Sequence, residues 1–335
     1  VNGRSADALV DDRDPAMKTT APSGKAEEKQ GLLTVIIAFC ANALVAVAKS
    51  VAAVLTGSAS MTAEAAHSWA DTGNQIFLLI AERRSNKPRD ARHPLGYGRE
   101  AYVWSMFAAF GLFTAGAVVS VWHGIQVLLT PEPASDFMVA YVVLALAFVL
   151  EGVSFAQALR QARKGAQHYR RHTLEYVVVS SNSTLRAVFA EDFAALIGIA
   201  IAASGVGLHQ ITGSPVPDAI GSILVGLLLG TIAVVLIDRN RKFLIGEPAT
   251  GEVRTAVVNL LLQHPDVDRV TYLHMEFVGP SRLYVVAAVD MAGDLPEHDV
   301  AVALRRVERA LEEHDLIEEA VLTLATVGEQ PLLGE

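Results

Sequence analysis

The chain carries one cysteine, Cys40, in 335 residues. A single thiol excludes an intramolecular disulfide and a thiolate cluster within one chain. Cys40 lies in an apolar run, where a small buried hydrophobe is its expected role. Charge is also scarce: Asp, Glu, Lys and Arg make up 19% of the residues, against 52% hydrophobic and a mean hydropathy of +0.36. A soluble domain of this length is more polar, so the balance points to a membrane protein. No long basic run is present and the net charge is −9, which argues against a nucleic-acid partner. Residues 1–30 hold no continuous apolar core, so we expect no signal peptide and no cleavage there; they read as a disordered polar tail.

What the chain does have is long apolar runs. Six segments, at 32–55, 59–82, 101–128, 138–162, 181–207 and 217–238, each approach the roughly 20 residues a helix needs to span hydrocarbon. Strands are not expected in these segments, because an open sheet edge has no partner in lipid. The loops at 56–60, 130–137 and 209–218 contain no lysine or arginine. Arg83, Arg84, Lys87, Arg89, Arg92 and Arg99 follow the second segment, Arg160, Arg163, Lys164, Arg170 and Arg171 the fourth, and Arg239, Arg241 and Lys242 the sixth. Positive charge collects on the cytoplasmic side, so this alternation predicts six spans with both termini cytoplasmic.

The pattern changes after Gly246. "TGEVRTAVVNLLLQH" has helical periodicity and stops before Pro265; "VDRVTYLHMEFV" and "RLYVVAAVDM" are rich in β-branched and aromatic residues. A second helix begins near Pro296 and "EEAVLTLATV" closes as a strand. The expected organisation is a six-helix transmembrane domain over 31–245 and a small α-β-β-α-β, ferredoxin-like cytoplasmic domain over 246–335. At that size the small domain is marginal alone and benefits from pairing.

Polar residues inside the spans carry the chemistry. Glu64, His67, Asp71, Asn74 and Gln75 recur at i, i+3, i+4 spacing and so share one face of the second span. An imidazole and a carboxylate four residues apart are a partial zinc coordination set, though an interhelical hydrogen bond explains such a pair equally well. The fifth span holds Glu191 and Asp192. Counting from outside, Asp71 lies roughly 17 Å deep at 1.5 Å per residue, and Asp192 reaches a similar depth from the opposite face. Three carboxylates and an imidazole at one level repel unless a cation or protons neutralise them. Consecutive residues project about 100° apart, so Glu191 and Asp192 cannot both face one ion equally; Asp192 is the expected ligand. Glu191 is left as a further ligand, a proton carrier or a partner of another span. Asn42, Lys49 and Glu151 are expected in interhelical polar contacts, with Lys49 able to snorkel outward.

These residues bring a resemblance into view. "TGSASMTAEAAHSWADTGNQ", "HPLGYGRE" and "PDAIGSILVGLLLG" resemble the second-span, cytoplasmic and sixth-span motifs of the cation diffusion facilitators, the zinc-transporter family, over roughly 31–326. His67 and Asp71 match that family's metal-binding pair. In the fifth span Val188 stands where the family pattern has histidine, four residues before Asp192, and the Glu191-Asp192 pair is similar to the zinc transporter nine branch. Losing an imidazole and gaining a carboxylate hardens the site, which widens the expected range of metals from Zn2+ towards Mn2+, Fe2+ and Co2+. Asp90 and His93 lie where some members hold a second site, but Tyr97 replaces a further histidine. His264, His274, Asp290 and His298 do not match the family's spacing and read as surface residues, and His168 and His172 are too few for a metal-collecting loop.

The resemblance implies a homodimer that exports a divalent cation by proton antiport, with metal and protons as substrates and no cofactor. A bacterial inner membrane is the expected location. The alternative is a membrane sensor or scaffold that binds an ion without moving it. An intramembrane metalloenzyme ranks last, since no separate general base or substrate motif is present. We expect no enzymatic activity.

Overall fold

The computed structural model describes residues 24–131, 136–168 and 172–332, with side chains from Phe39 onward except that of His168. Most of the expected tail, 1–23, lies outside the described residues; from Gly24 the backbone is helical.

Helices α1 (Gly24–Thr56), α2 (Ala59–Ser85), α3 (Glu100–Leu129), α4 (Phe137–His168), α6 (Ser183–Thr212) and α7 (Val216–Ile245) follow the six apolar segments, with the short α5 (Thr173–Val179) between α4 and α6. Five of them are long and apolar enough to cross a membrane; α2 is the exception, because its face of polar residues lowers its hydropathy. Large apolar side chains point outward along the helices, among them Val54, Trp122, Val149, Val153 and Val234. So much exposed apolar surface is untenable in water and is what a lipid-facing bundle presents. The protein is an integral, multi-pass membrane protein.

Four local features differ from the expectation. Residues Ala109–Phe113 form a π-helical turn, so α3 is not one regular helix; Ala109 and Phe113 at its ends are buried with Ala63 of α2. The fourth helix runs on to His168, so the basic residues Arg160, Arg163 and Lys164 lie on helix rather than loop. Cys40 is exposed, because an apolar residue in a lipid-facing helix turns towards the solvent it prefers. Lys49 does not snorkel: it is fully buried and paired with Glu64.

The Cα trace divides into two compact units. One comprises Glu28–Arg84 and Glu100–Lys242. Within it, Asp218 at the start of α7 caps α2: its carboxylate accepts hydrogen bonds from the Ala59 and Ser60 amides at 2.6 and 3.2 Å and from the Ser58 hydroxyl at 2.9 Å. A buried carboxylate there satisfies otherwise orphaned amides and complements the positive end of the helix dipole. Helix α6 starts on Asn182, whose side chain accepts from the Leu185 amide at 2.9 Å.

The second unit contains Ser85–Arg99 and Phe243–Glu335. Its elements α8 (Gly251–Gln263), β1 (Val267–Gly279), β2 (Arg282–Met291), α9 (Glu297–Glu312) and β3 (Ile317–Leu324) follow the expected α-β-β-α-β order. The sheet order is β1-β2-β3, antiparallel then parallel, which is the ferredoxin-like pattern without its first strand. One core joins Val257 and Leu261 of α8, Val307 and Leu311 of α9, and the inward residues Leu273, Val285 and Leu322 of the strands. The Ser85–Arg99 loop belongs to this unit through ion pairs. Arg99 meets Glu276 at 2.6 Å, and Arg89 meets Glu318 and Glu319 at 3.3 Å each. Gly98 packs directly on the backbone of Val278 and Gly279, leaving no room for a Cβ.

Candidate metal site

Helical spacing alone places Glu64, His67, Asp71 and Asn74 on one face of α2, and packing then turns that face inward: all four are buried. His67 Nδ1 lies 3.3 Å from Asp71 Oδ1. The two are close but not aligned as a hydrogen bond, and both imidazole nitrogens and Asp71 Oδ1 lack hydrogen-bond partners. Unpartnered polar atoms in a bundle interior are costly and call for a ligand, an ion or a proton.

The fifth-span residues separate by direction. Glu191 turns towards α2, where Asn74 donates to it from Nδ2 at 2.5 Å and its carboxyl meets that of Asp71. Asp192 turns towards α4, where the Ser154 hydroxyl donates to Oδ2 at 2.7 Å. Val188, one turn earlier, lies on the same side and packs on the cluster of Ala158, Ala162, Val177 and Phe189. Apolar packing at 188 therefore sets the rotation of α6 that presents Glu191, rather than Asp192, to the His67–Asp71 pair. Sequence spacing reveals the 100° between the two carboxylates but not which of them faces α2.

One turn along α2, Glu64 Oε2 meets Lys49 Nζ of α1 at 2.8 Å, both side chains fully buried. Glu64 Oε1 has no partner and points at the backbone of Gly198 in α6, where a side chain would collide with it. Lys49 makes the interhelical polar contact expected of it, whereas Asn74 and Ser154 are polar neighbours whose roles sequence reasoning missed. Asn74 was visible as part of the α2 face, whereas Ser154 gave no signal, because a serine in an apolar helix most often bonds to its own backbone.

Elsewhere the predicted residues are engaged or apart. Asp90 is tied into its own loop: Tyr97 donates to Oδ2 at 2.6 Å, and the Arg92 and His93 amides donate to Oδ1 at 2.9 and 2.8 Å. The Tyr97 hydroxyl, followed by these amides, holds the Asp90 carboxyl down at about 2. His93 stacks on the Tyr97 ring with centroids 4.0 Å apart. The trio forms an exposed turn, with the tyrosine taking the carboxylate oxygen that a metal would need. In the small unit Asp290 pairs with Arg269 at 2.7 Å, while His264 follows the end of α8, and His274 and His298 sit on β1 and α9. Among the described residues, no three His, Cys, Asp or Glu side chains are gathered as a ready metal cage. His67 meets Asp71 and Asp71 meets Glu191, while Asp192 is held by Ser154 on α4.

One imidazole with carboxylate oxygens is a donor set for borderline and hard divalent cations, Zn2+ at one end and Mn2+ at the other. Comparisons with known proteins agree with that chemistry. The chain is 35% identical over 288 residues to "Proton-coupled zinc antiporter SLC30A9, mitochondrial" of Xenopus laevis, covering 84% of this chain and 52% of that protein. It is 36% identical over 233 residues to "Metal tolerance protein C4" of Arabidopsis thaliana, covering 70% and 51%. With "Zinc transporter ZitB" of Escherichia coli the identity is 25% over 271 residues, covering 81% and 80%. The chain thus spans about half the length of the first two relatives. Residues 35–245 match the family model of the cation efflux transmembrane domain, and the chain belongs to that cation efflux, or cation diffusion facilitator, family.

Proposed function

We propose that the protein exports a divalent metal cation, Zn2+ first among candidates, in exchange for protons. The observation that carries this reading is the buried meeting of His67, Asp71 and Glu191 from two helices, with both imidazole nitrogens free to coordinate. The zinc antiporters and zinc transporters among its relatives support the same reading. Six spans, α2 included, place both termini and the small α+β domain in the cytoplasm, with domain limits at 31–245 and 246–335. A homodimer in a bacterial inner membrane completes the proposal.

In this account the ion enters from the cytoplasm and is taken by His67, Asp71 and Glu191. Asp192 joins when it leaves Ser154, which would move the fourth ligand between helices α4 and α2. Ligands must lose their protons to bind metal, so binding and proton release are linked. Rocking of the bundle then opens the site outward and external protons expel the ion. Glu64 lines the outward path, and Asp90 and His93 line the approach at the cytoplasmic surface. The steps exchange protons and metal ligands and convert no substrate chemically, in keeping with a transporter rather than an enzyme.

The test is flux in proteoliposomes. Zinc movement that requires a pH gradient, and that Asp71→Ala and Asp192→Ala reduce, supports antiport. Saturable zinc binding without any flux selects the sensor or scaffold instead.

A further inference from the structure

The Lys49–Glu64 pair is chemically conspicuous. Both side chains are wholly buried, 2.8 Å apart, one turn along α2 from His67. Burying an ammonium and a carboxylate costs several kcal/mol each in desolvation, and their attraction roughly cancels that cost, so such a pair adds little to stability. Apolar residues of the same size would hold α1 against α2 as well. Intramembrane charges that do not stabilise are retained for what they do.

The pairing is also incomplete. Lys49 engages only Glu64 Oε2; Oε1 remains unpartnered in a fully buried position. The room for that oxygen comes from Gly198 of α6, where a Cβ would strike it. Glu64 thus spans three helices: its charge is met from α1, its backbone belongs to α2, and its free oxygen rests on α6, the helix that carries Glu191 and Asp192.

We infer that Lys49 is the resident counter-cation of the transport site, a specificity-determining residue that neutralises Glu64 when no metal is bound and weakens the hold on a dication passing His67. This rests on the export reading above. With Lys49 in place, the charge of Glu64 is already met and the arriving dication is repelled by a fixed ammonium, so it binds loosely enough to leave. Without Lys49, Glu64 becomes a further free carboxylate beside the ion and the ion is trapped.

The inference predicts opposite shifts for the two partners, which a purely structural pair cannot give. In zinc flux on reconstituted full-length protein, Lys49→Met lowers the zinc KM and the maximal rate, each on the order of tenfold. Glu64→Gln leaves the ammonium unopposed and raises KM on the order of tenfold. The double variant, Lys49→Met with Glu64→Gln, removes both charges, keeps the bundle intact if either single variant folds poorly, and returns KM to near the wild-type value. Lys49→Arg retains the charge and the wild-type KM. Rates that fall in both single variants with KM unchanged, or a double variant whose KM is displaced like either single one, overturn the counter-cation role. Wild-type protein that moves no zinc at all defeats the export reading instead, so the two failures are distinguishable.

Discussion

At the scale of residues, the site is defined by which way consecutive side chains point. Glu191 reaches Asn74 and Asp71, while Asp192, its neighbour, is held by Ser154 on α4. If Asn74 and Ser154 orient the carboxylates as outer-shell partners do at metal sites, Asn74→Ala and Ser154→Ala each weaken zinc affinity about 10- to 100-fold with the protein still folded. Isothermal titration with zinc checks this; unchanged affinity in both would remove the orienting role. The Asp90 turn offers a second prediction, outside the membrane spans. Its carboxyl sits at about 2 chiefly because Tyr97 donates to it, below the ordinary 3.8. A depressed carboxyl contributes stability that is complete above its unfolded value and is lost as pH falls through its folded one, so the turn loosens between about pH 4 and pH 2. Tyr97→Phe raises the Asp90 carboxyl towards the ordinary value, and carboxyl-carbon NMR titration of the loop reads that shift.

At the scale of elements, the apolar runs made every long helix legible in the sequence, and the β-branched runs after Gly246 made the strands legible. What was not legible depends on contacts across the chain. The rotation of α6 is set by Val188 packing on α4 and α5 residues, which no spacing rule encodes. The π-helical turn at Ala109–Phe113 sits where α3 meets Ala63 of α2, a tertiary demand rather than a local preference. Cys40 was expected inside because burial rules are learned from water; in lipid the apolar side chain faces out. Glu64 and Lys49 were each visible as polar, but their pairing joins residues fifteen apart across a turn. The same kind of long-range contact starts α2, whose first amides rest on Asp218 from the start of α7. Asp218→Ala removes a buried charged acceptor from two amides and a hydroxyl, a loss of about 1.5–3 kcal/mol. The thermal unfolding midpoint of the detergent-solubilised protein falls accordingly, and Asp218→Asn, which keeps one acceptor, falls less.

At the scale of the whole molecule, the two units place their charges differently. The bundle of Glu28–Arg84 with Glu100–Lys242 buries seven charged side chains, Lys49, Glu64, Asp71, Arg186, Glu191, Asp192 and Asp218. The small unit buries only Glu308 among its described charges and pairs others in partly exposed positions, where Arg89 and Arg99 of the loop after α2 meet Glu318, Glu319 and Glu276. The loop that continues from α2 is thus an integral part of the small unit, a joining that the basic composition of 83–99 alone read only as a sign of orientation. The central claim is that one imidazole, from His67, and carboxylates from two helices hold the transported ion. X-ray absorption at the zinc edge on the purified, zinc-loaded protein tests it most directly. The account predicts a sulfur-free shell with a single imidazole and oxygen neighbours at about 2.0–2.2 Å, and loss of the imidazole signature in His67→Ala. Two or more imidazoles in the shell, or a spectrum that His67→Ala leaves unchanged, would contradict it.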